Sequence, residues 1–268
     1  MTDSNLLSHE IAELSIAVDL LENLSFGIQI ANKIGYPIEI VMESLPEKWK
    51  PKIAEITTSA LRSSLRVITK TFDSRVNSKP KNFLHKLTVT ASGAVGGALG
   101  FYGLSVELPV STLIMLRSIA AIAKSEGEDL NDVYTQLACL EVFALGGKSK
   151  NGGNSESGYF AIRTALAKAV SEAAAYIAEK GLAEEGAPII VRLIAIIAER
   201  FGIEISEKAA AQSVPIIGAA GGAIINYVFI NHFQNIAKGH FTIRRLEKRY
   251  GKEIIEYEYM KILEKLNK

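Results

Sequence analysis

The sequence predicts an all-α fold, a multi-helix bundle, on three observations. Apolar residues recur every three or four positions between turn signals, and no segment alternates with period two as half-buried strands do. Two long stretches rich in Gly and Ala also carry the small-residue spacing of closely packed helices. With 268 residues, 48% of them apolar, and a formal charge of +1, the chain buries a core as one large domain or two small ones. That near-neutral charge, without basic residues interleaved with aromatics, argues against nucleic acid as a partner.

The elements follow in order. At the N-terminus, MTDSNLLSHEIAELS has early acids and no basic region before an apolar core, so it does not read as a secretory signal. Ile11, Leu14, Val18 and Leu21 share a helical spacing and predict one helix over 8–34, ended by Gly35 and Pro37. A short helix over 38–45 stops at Pro46, and another over 47–72 carries Ile53, Ile56, Ala60, Leu61, Leu65 and Ile68 on one face. The polar run Asn77-Ser78-Lys79-Pro80-Lys81 marks a boundary between an N-terminal helical region, 1–78, and a helical core, 79–268.

The stretch 87–123 has only two charges, Glu107 and Arg117. Gly93 and Gly97, Gly96 and Gly100, and later Gly218 and Gly222, are each four apart, with Gly221 beside the last pair. Such pairs share a helix face and let another backbone approach. Residues 87–106 are uncharged for the length of a spanning helix, about 20 residues, yet Gly, Ser, Thr and Ala give them weak drive into lipid. If the chain enters lipid, the basic flanks predict a hairpin that enters at 87, turns near Glu107-Leu108-Pro109 and returns at Lys124; the alternative is a soluble helical domain with this hairpin buried in its own core. That turn would bring Glu107 and Arg117 into a mutual salt bridge, since charges in so apolar a stretch need a partner.

Helices are expected over 131–145, 156–180, 185–201 and 205–212, with a loop, GGKSKNGGNSESG, at 146–158. The only cysteine, Cys139, excludes an intrachain disulfide, and its neighbours Leu137, Ala138 and Leu140 predict a buried, structural thiol. Segment 209–237 carries no Asp, Glu, Lys or Arg, and a basic helix follows Gly239 and stops at Gly251. GAVGGAL at 93–99 returns as GAAGGAI at 218–224, and IAKSEGED at 122–129 is answered by LEKRYGKE at 246–253, the pattern of a degenerate tandem repeat.

Motif chemistry is sparse. Gly146-Gly147-Lys148-Ser149 ends like a phosphate-binding loop, but the earlier glycine is replaced by Val142 and a helix precedes it. His232 and His240 lie eight residues apart, about 12 Å along a helix, too far to share one ion unless the helix breaks at Gly239. No carboxylate lies between Lys208 and Lys238 to complete a ligand set, so neither a metal nor another cofactor is expected. A polar band, Asn226, Asn231, His232, Gln234, Asn235 and His240, reads as buried hydrogen bonding, or as part of a cleft with Glu107, Arg117, Glu156 and Tyr159. Arg244, Arg245, Lys248, Arg249 and Lys252 form a basic helix face suited to solvent or to anionic headgroups.

Several phrases in sequence, ELPVSTLIMLRSIAAIAKSEGEDL at 107–130, CLEVFALGG at 139–147, ESGYFAIRTALAKAVSEA at 156–173, VPIIGAAGGAIIN at 214–226 and HFQNIAKGHFTIRRLEKRYG at 232–251, resemble the EcsC protein family. The resemblance implies a bacterial helical protein, linked by the family's namesake to an ABC-type exporter, and supplies no residue roles. The family-like polar positions are Glu107, Arg117, Ser118, Glu141, Glu156, Tyr159, Asn226, His232, Gln234, His240, Arg244 and Arg245.

Two functions are therefore expected to compete, with a plain interaction scaffold as a third. One is a cytoplasmic accessory protein, peripheral at the inner face of the cytoplasmic membrane, with an anionic membrane surface and a membrane protein as partners. The other is a hydrolase-like enzyme whose cleft gathers His232, His240, Glu107 and Glu156, which requires those side chains to converge.

Overall fold

The computed structural model describes residues 6–22, 26–35, 37–43, 45–71, 100–146, 158–181, 186–213 and 218–266. Among them the chain is all-α, in the order α1 (Ser8–Glu22), α2 (Phe26–Ile34), α3 (Ile38–Glu43), a 3-10 turn (Glu47–Trp49), α4 (Lys50–Thr71), α5 (Gly100–Ser125), α6 (Val133–Leu145), α7 (Gly158–Lys180), α8 (Pro188–Ser213), α9 (Gly218–Tyr250) and α10 (Lys252–Leu266). Gly93, Gly96, Gly97 and Glu156, the 78/79 boundary and most of the 146–158 loop lie outside the described residues. Gly100 opens α5, and Gly218, Gly221 and Gly222 lie in the first turns of α9.

The centre of the bundle is α6. It starts on Asp132, whose carboxylate caps the Thr135 N–H, and eleven of its residues are buried. A helix apolar on every side belongs in the interior, and α6 is contacted by α4, α5, α7, α8 and α9. Cys139 is fully buried there, and burial pushes its thiol up to about 12, which keeps it protonated and inert. Beside it an aromatic cluster joins three helices: Phe143 of α6 lies 4.8 Å from Phe201 of α8, which lies 5.3 Å from Phe233 of α9, ring centre to ring centre.

Three sequence expectations are corrected. First, 8–34 is two helices rather than one, and the inward face of α1 is Glu10, Leu14, Ala17 and Val18, leaving Ile11 exposed. Second, the two helices expected at 185–201 and 205–212 are one, Pro188–Ser213: α8 runs through Gly202, whose roughly 1 kcal/mol penalty is small beside the burial of Phe201 and Ile205 on either side.

Third, the turn at 107–109 does not form, because α5 is continuous through Pro109. A proline inside a helix costs about 3 kcal/mol, and α5 offsets it with a buried stripe of Leu108, Thr112, Met115, Leu116, Ile119 and Ala123. The Thr112 hydroxyl also donates to the Leu108 carbonyl at 2.7 Å. Glu107 and Arg117 are consequently ten residues apart on one helix, about 15 Å, and cannot form the expected pair.

The longest helix, α9, has 33 residues and spans about 50 Å. It does not break at Gly239. A Cβ there would stand 2.7 Å from Leu21 Cγ and 3.1 Å from the Ala17 carbonyl, so Gly239 is where α1 lies directly against α9. Gly127 and Gly251, which follow the ends of α5 and α9, have φ of 83° and 93°, the left-handed conformation that glycine adopts without strain.

Candidate functional site

Helix α9 carries most of the predicted polar residues, and its two halves treat them differently. In the C-terminal half, His240 faces α7, where its Nδ1 lies 3.0 Å from the Tyr159 hydroxyl. Both rings are buried. Burial, reinforced by the charges of Arg163 and Arg244, drives the His240 pKa well below its ordinary value, so the ring is neutral. Its Nε2 has no hydrogen-bond partner among the described residues. One turn along α7, Arg163 makes two parallel bonds to Glu247, at 2.7 and 2.9 Å, the strongest geometry available to a guanidinium and a carboxylate. Glu141 of α6 sits in the field of Arg163 and Arg244 with its carboxyl raised by burial, because both arginines are committed to other acids.

Further along, the basic face of α9 meets acids from two distant segments. Glu128, in the α5–α6 turn, accepts from Arg244 at 2.9 Å, Lys248 at 2.8 Å and the Thr135 hydroxyl at 2.9 Å. Burial alone would raise its pKa, but these donors hold it at about 2. Arg245 is shared by Glu13 of α1 at 2.8 Å and Glu126 at 2.7 Å. Arg249 binds Glu10 at 2.7 Å, and Glu10 also takes the Tyr250 hydroxyl and the Leu7 N–H. Four cations of the predicted headgroup-binding face thus stand against four acids, Glu10, Glu13, Glu126 and Glu128. Lys252 lies at the exposed start of α10.

In the N-terminal half the arrangement changes. His232 is buried with both ring nitrogens engaged: Nε2–H donates to the Gly146 carbonyl at 3.1 Å, which leaves Nδ1 to accept from the Gln29 amide at 3.1 Å. Burial lowers its pKa to about 4, so it is neutral. Lys208 of α8, 1% exposed, reaches Glu107 at 2.6 Å and lies 4.5 Å from the centre of the Phe229 ring. Burial depresses its pKa, and Glu107 works against that. Gln212 donates to the other Glu107 oxygen at 3.3 Å. On the same helix Glu204 is buried with neither oxygen hydrogen-bonded to any described residue, and burial raises it well above the carboxylate range. Glu207 is raised to about 7, by burial against the opposing Gly27 N–H.

Of the predicted cleft, the structure brings together Tyr159 and His240. Glu107 is held by Lys208 and Gln212, while His232 is held by Gln29 and Gly146. On a continuous α9 the two histidines are about 12 Å apart. Asn226 is half-buried, its Oδ1 without a hydrogen-bond partner among the described residues, and Gln234 and Arg117 are half-buried. Among the described residues, no three His, Cys, Asp or Glu side chains are grouped to hold a metal ion. Sequence reasoning missed Arg163, Lys208, Glu128, Glu204, the acids Glu10 and Glu13 of α1, and Glu126 just after α5. Only Lys208 gave a signal, as the last charge before a long uncharged stretch.

Comparison with known proteins gives one match of sequence to family: the model described as the EcsC protein family matches residues 30–246, most of the chain. No curated protein matches, and neither does any solved structure.

Proposed function

The chain belongs to the EcsC protein family, and from that premise we propose that it is a helical accessory protein of the bacterial cytoplasm, peripheral at the inner face of the cytoplasmic membrane. There it would serve a membrane protein partner in ABC-type export or another envelope process. The observation that supports the reading is the outer side of α5. Its segment Glu107–Ser125 has the length and composition of a membrane-crossing helix, yet only 39% of it is buried. The equally apolar α6 is almost wholly enclosed. On α5 the positions turned from the core, Val110, Leu113, Ile114 and Ala121, are half-buried or exposed and apolar, with Arg117 and Lys124 among them at helical spacing, so that this side is an apolar strip broken by two cations.

In this reading α5 lies along the bilayer surface, and contact is apolar first. The pairing of Arg244, Arg245, Lys248 and Arg249 with acids of the same chain leaves little net positive field to draw the protein to anionic lipid from a distance. Co-sedimentation of the purified protein with neutral and anionic vesicles tests it. The expected result is binding to both that persists in high salt and is lost in Leu113→Glu and Ile114→Glu. A monodisperse protein that stays in the supernatant with every vesicle at every salt concentration overturns it.

A further inference from the structure

The pairing on the C-terminal half of α9 is layered. Glu10 and Glu128 lie beneath the helix, with side chains 0% and 2% exposed, while their partners Arg249 and Lys248 are 58% and 57% exposed. Arg245 is arranged the other way. It is flanked by two carboxylates on one guanidinium, Glu13 and Glu126, which are 42% and 22% exposed. One guanidinium needs one carboxylate. The second adds a negative charge at the surface and lies close to a like charge, so it is the less favourable member of the trio. Around Arg245, therefore, the outer faces of three cations look into solvent, and two outer acids hold down their potential.

The place of this cluster gives it a use. Helix α5 ends at Ser125, and Glu126 is the next residue, so the C-terminal end of α5, with Lys124 in its last turn, adjoins the cluster around Arg245. A bilayer surface offers apolar chains and anionic headgroups side by side, and an apolar strip ending in a row of cations is complementary to it.

We propose that Glu13 and Glu126 form an electrostatic latch on Arg245 that keeps a cationic headgroup site on α9 closed, and that loss of their charge opens the site to an anionic bilayer surface. The inference rests on the membrane reading above and adds lipid selectivity to it. With the latch closed, binding is apolar and indifferent to headgroup charge. With it open, Arg245, Lys248 and Arg249 add attraction that only anionic lipid supplies and that salt removes.

The test is co-sedimentation of the full chain with phosphatidylcholine vesicles and with vesicles containing phosphatidylglycerol, at low and high salt. Glu13→Gln with Glu126→Gln is expected to raise partitioning onto the anionic vesicles about tenfold at low salt, in line with the usual pull of an anionic leaflet on freed basic residues. High salt abolishes the gain, phosphatidylcholine shows none, and Arg245→Ala in the same background reverses it. Glu13→Gln alone keeps the inner pairs, and half the gain is expected from it. A charge-matched control, Glu47→Gln with Glu179→Gln, removes two acids that are 84% and 74% exposed elsewhere. No gain in the latch variants while the wild type binds both vesicles overturns the latch alone, as does an equal gain in the control. Failure of wild type and variants to bind any vesicle overturns the membrane reading with it.

Discussion

The two halves of α9 solve the same problem, charged groups beside a hydrophobic core, in opposite ways. In the C-terminal half the buried acids Glu10, Glu128 and Glu247 each meet an arginine or lysine. Around the N-terminal half, Lys208 has Glu107, but Glu204 is buried without a hydrogen-bond partner among the described residues and Glu207 is pushed to about 7. A buried pair is costly to split although its net worth is small, whereas a buried lone carboxyl avoids the cost of charge by staying protonated. The first half is therefore built on paired charges that must remain, and the second, apart from the Lys208–Glu107 pair, on buried carboxyls whose charge is disfavoured.

The largest expected effect breaks the paired half. Arg163→Ala strands Glu247, whose side chain is 7% exposed, and is expected to cost about 3–5 kcal/mol in urea unfolding. Arg163→Met with Glu247→Met should recover most of that, since removing both charges leaves nothing unpaired. Next, Gly239→Ala sets a methyl against Leu21 and the Ala17 carbonyl and should destabilise by about 1–3 kcal/mol through displacement of α1. In the unpaired half the sign reverses. Glu204→Met removes two unpartnered oxygens and should stabilise the protein by about 1–3 kcal/mol at neutral pH, and a loss of stability there would show that Glu204 has a partner in solution.

The smallest effect sharpens the comparison through pH. Glu128, depressed from 4.5 to about 2 in the folded protein, contributes stability that is present in full above 4.5 and is lost as pH falls through about 2. Glu207, raised from 4.5 to about 7, works the other way: the folded state holds its proton longer, so stability declines as pH rises from 4.5 to 7 and then levels. Thermal melts across that window should flatten in Glu207→Gln, while Glu128→Gln should alter only the acid limb. The same slope in both variants would remove the distinction between the halves.

Much of the bundle was legible in the chain because its signals are local. The stripe on α4, the enclosure of Cys139 and the glycine stop at 251 each depend on residues within a few turns. The errors were local signals overruled by packing: Pro109 and Gly202 read as interruptions, but the neighbours they bury keep α5 and α8 continuous. The Tyr159–His240 contact was half legible, since both residues were singled out but nothing in the chain joined them.

What the sequence by itself determined is therefore the all-α class, most helix ends, the family and the list of polar residues that stand out. The tertiary structure alone decided which charge meets which. The partners lie far apart along the chain, Arg163 and Glu247 by 84 positions and Glu10 and Arg249 by 239, and a charge carries no mark of its partner in a linear sequence. An electrostatic bond depends on distance in space and on the water excluded around it, and both exist only once the helices have packed.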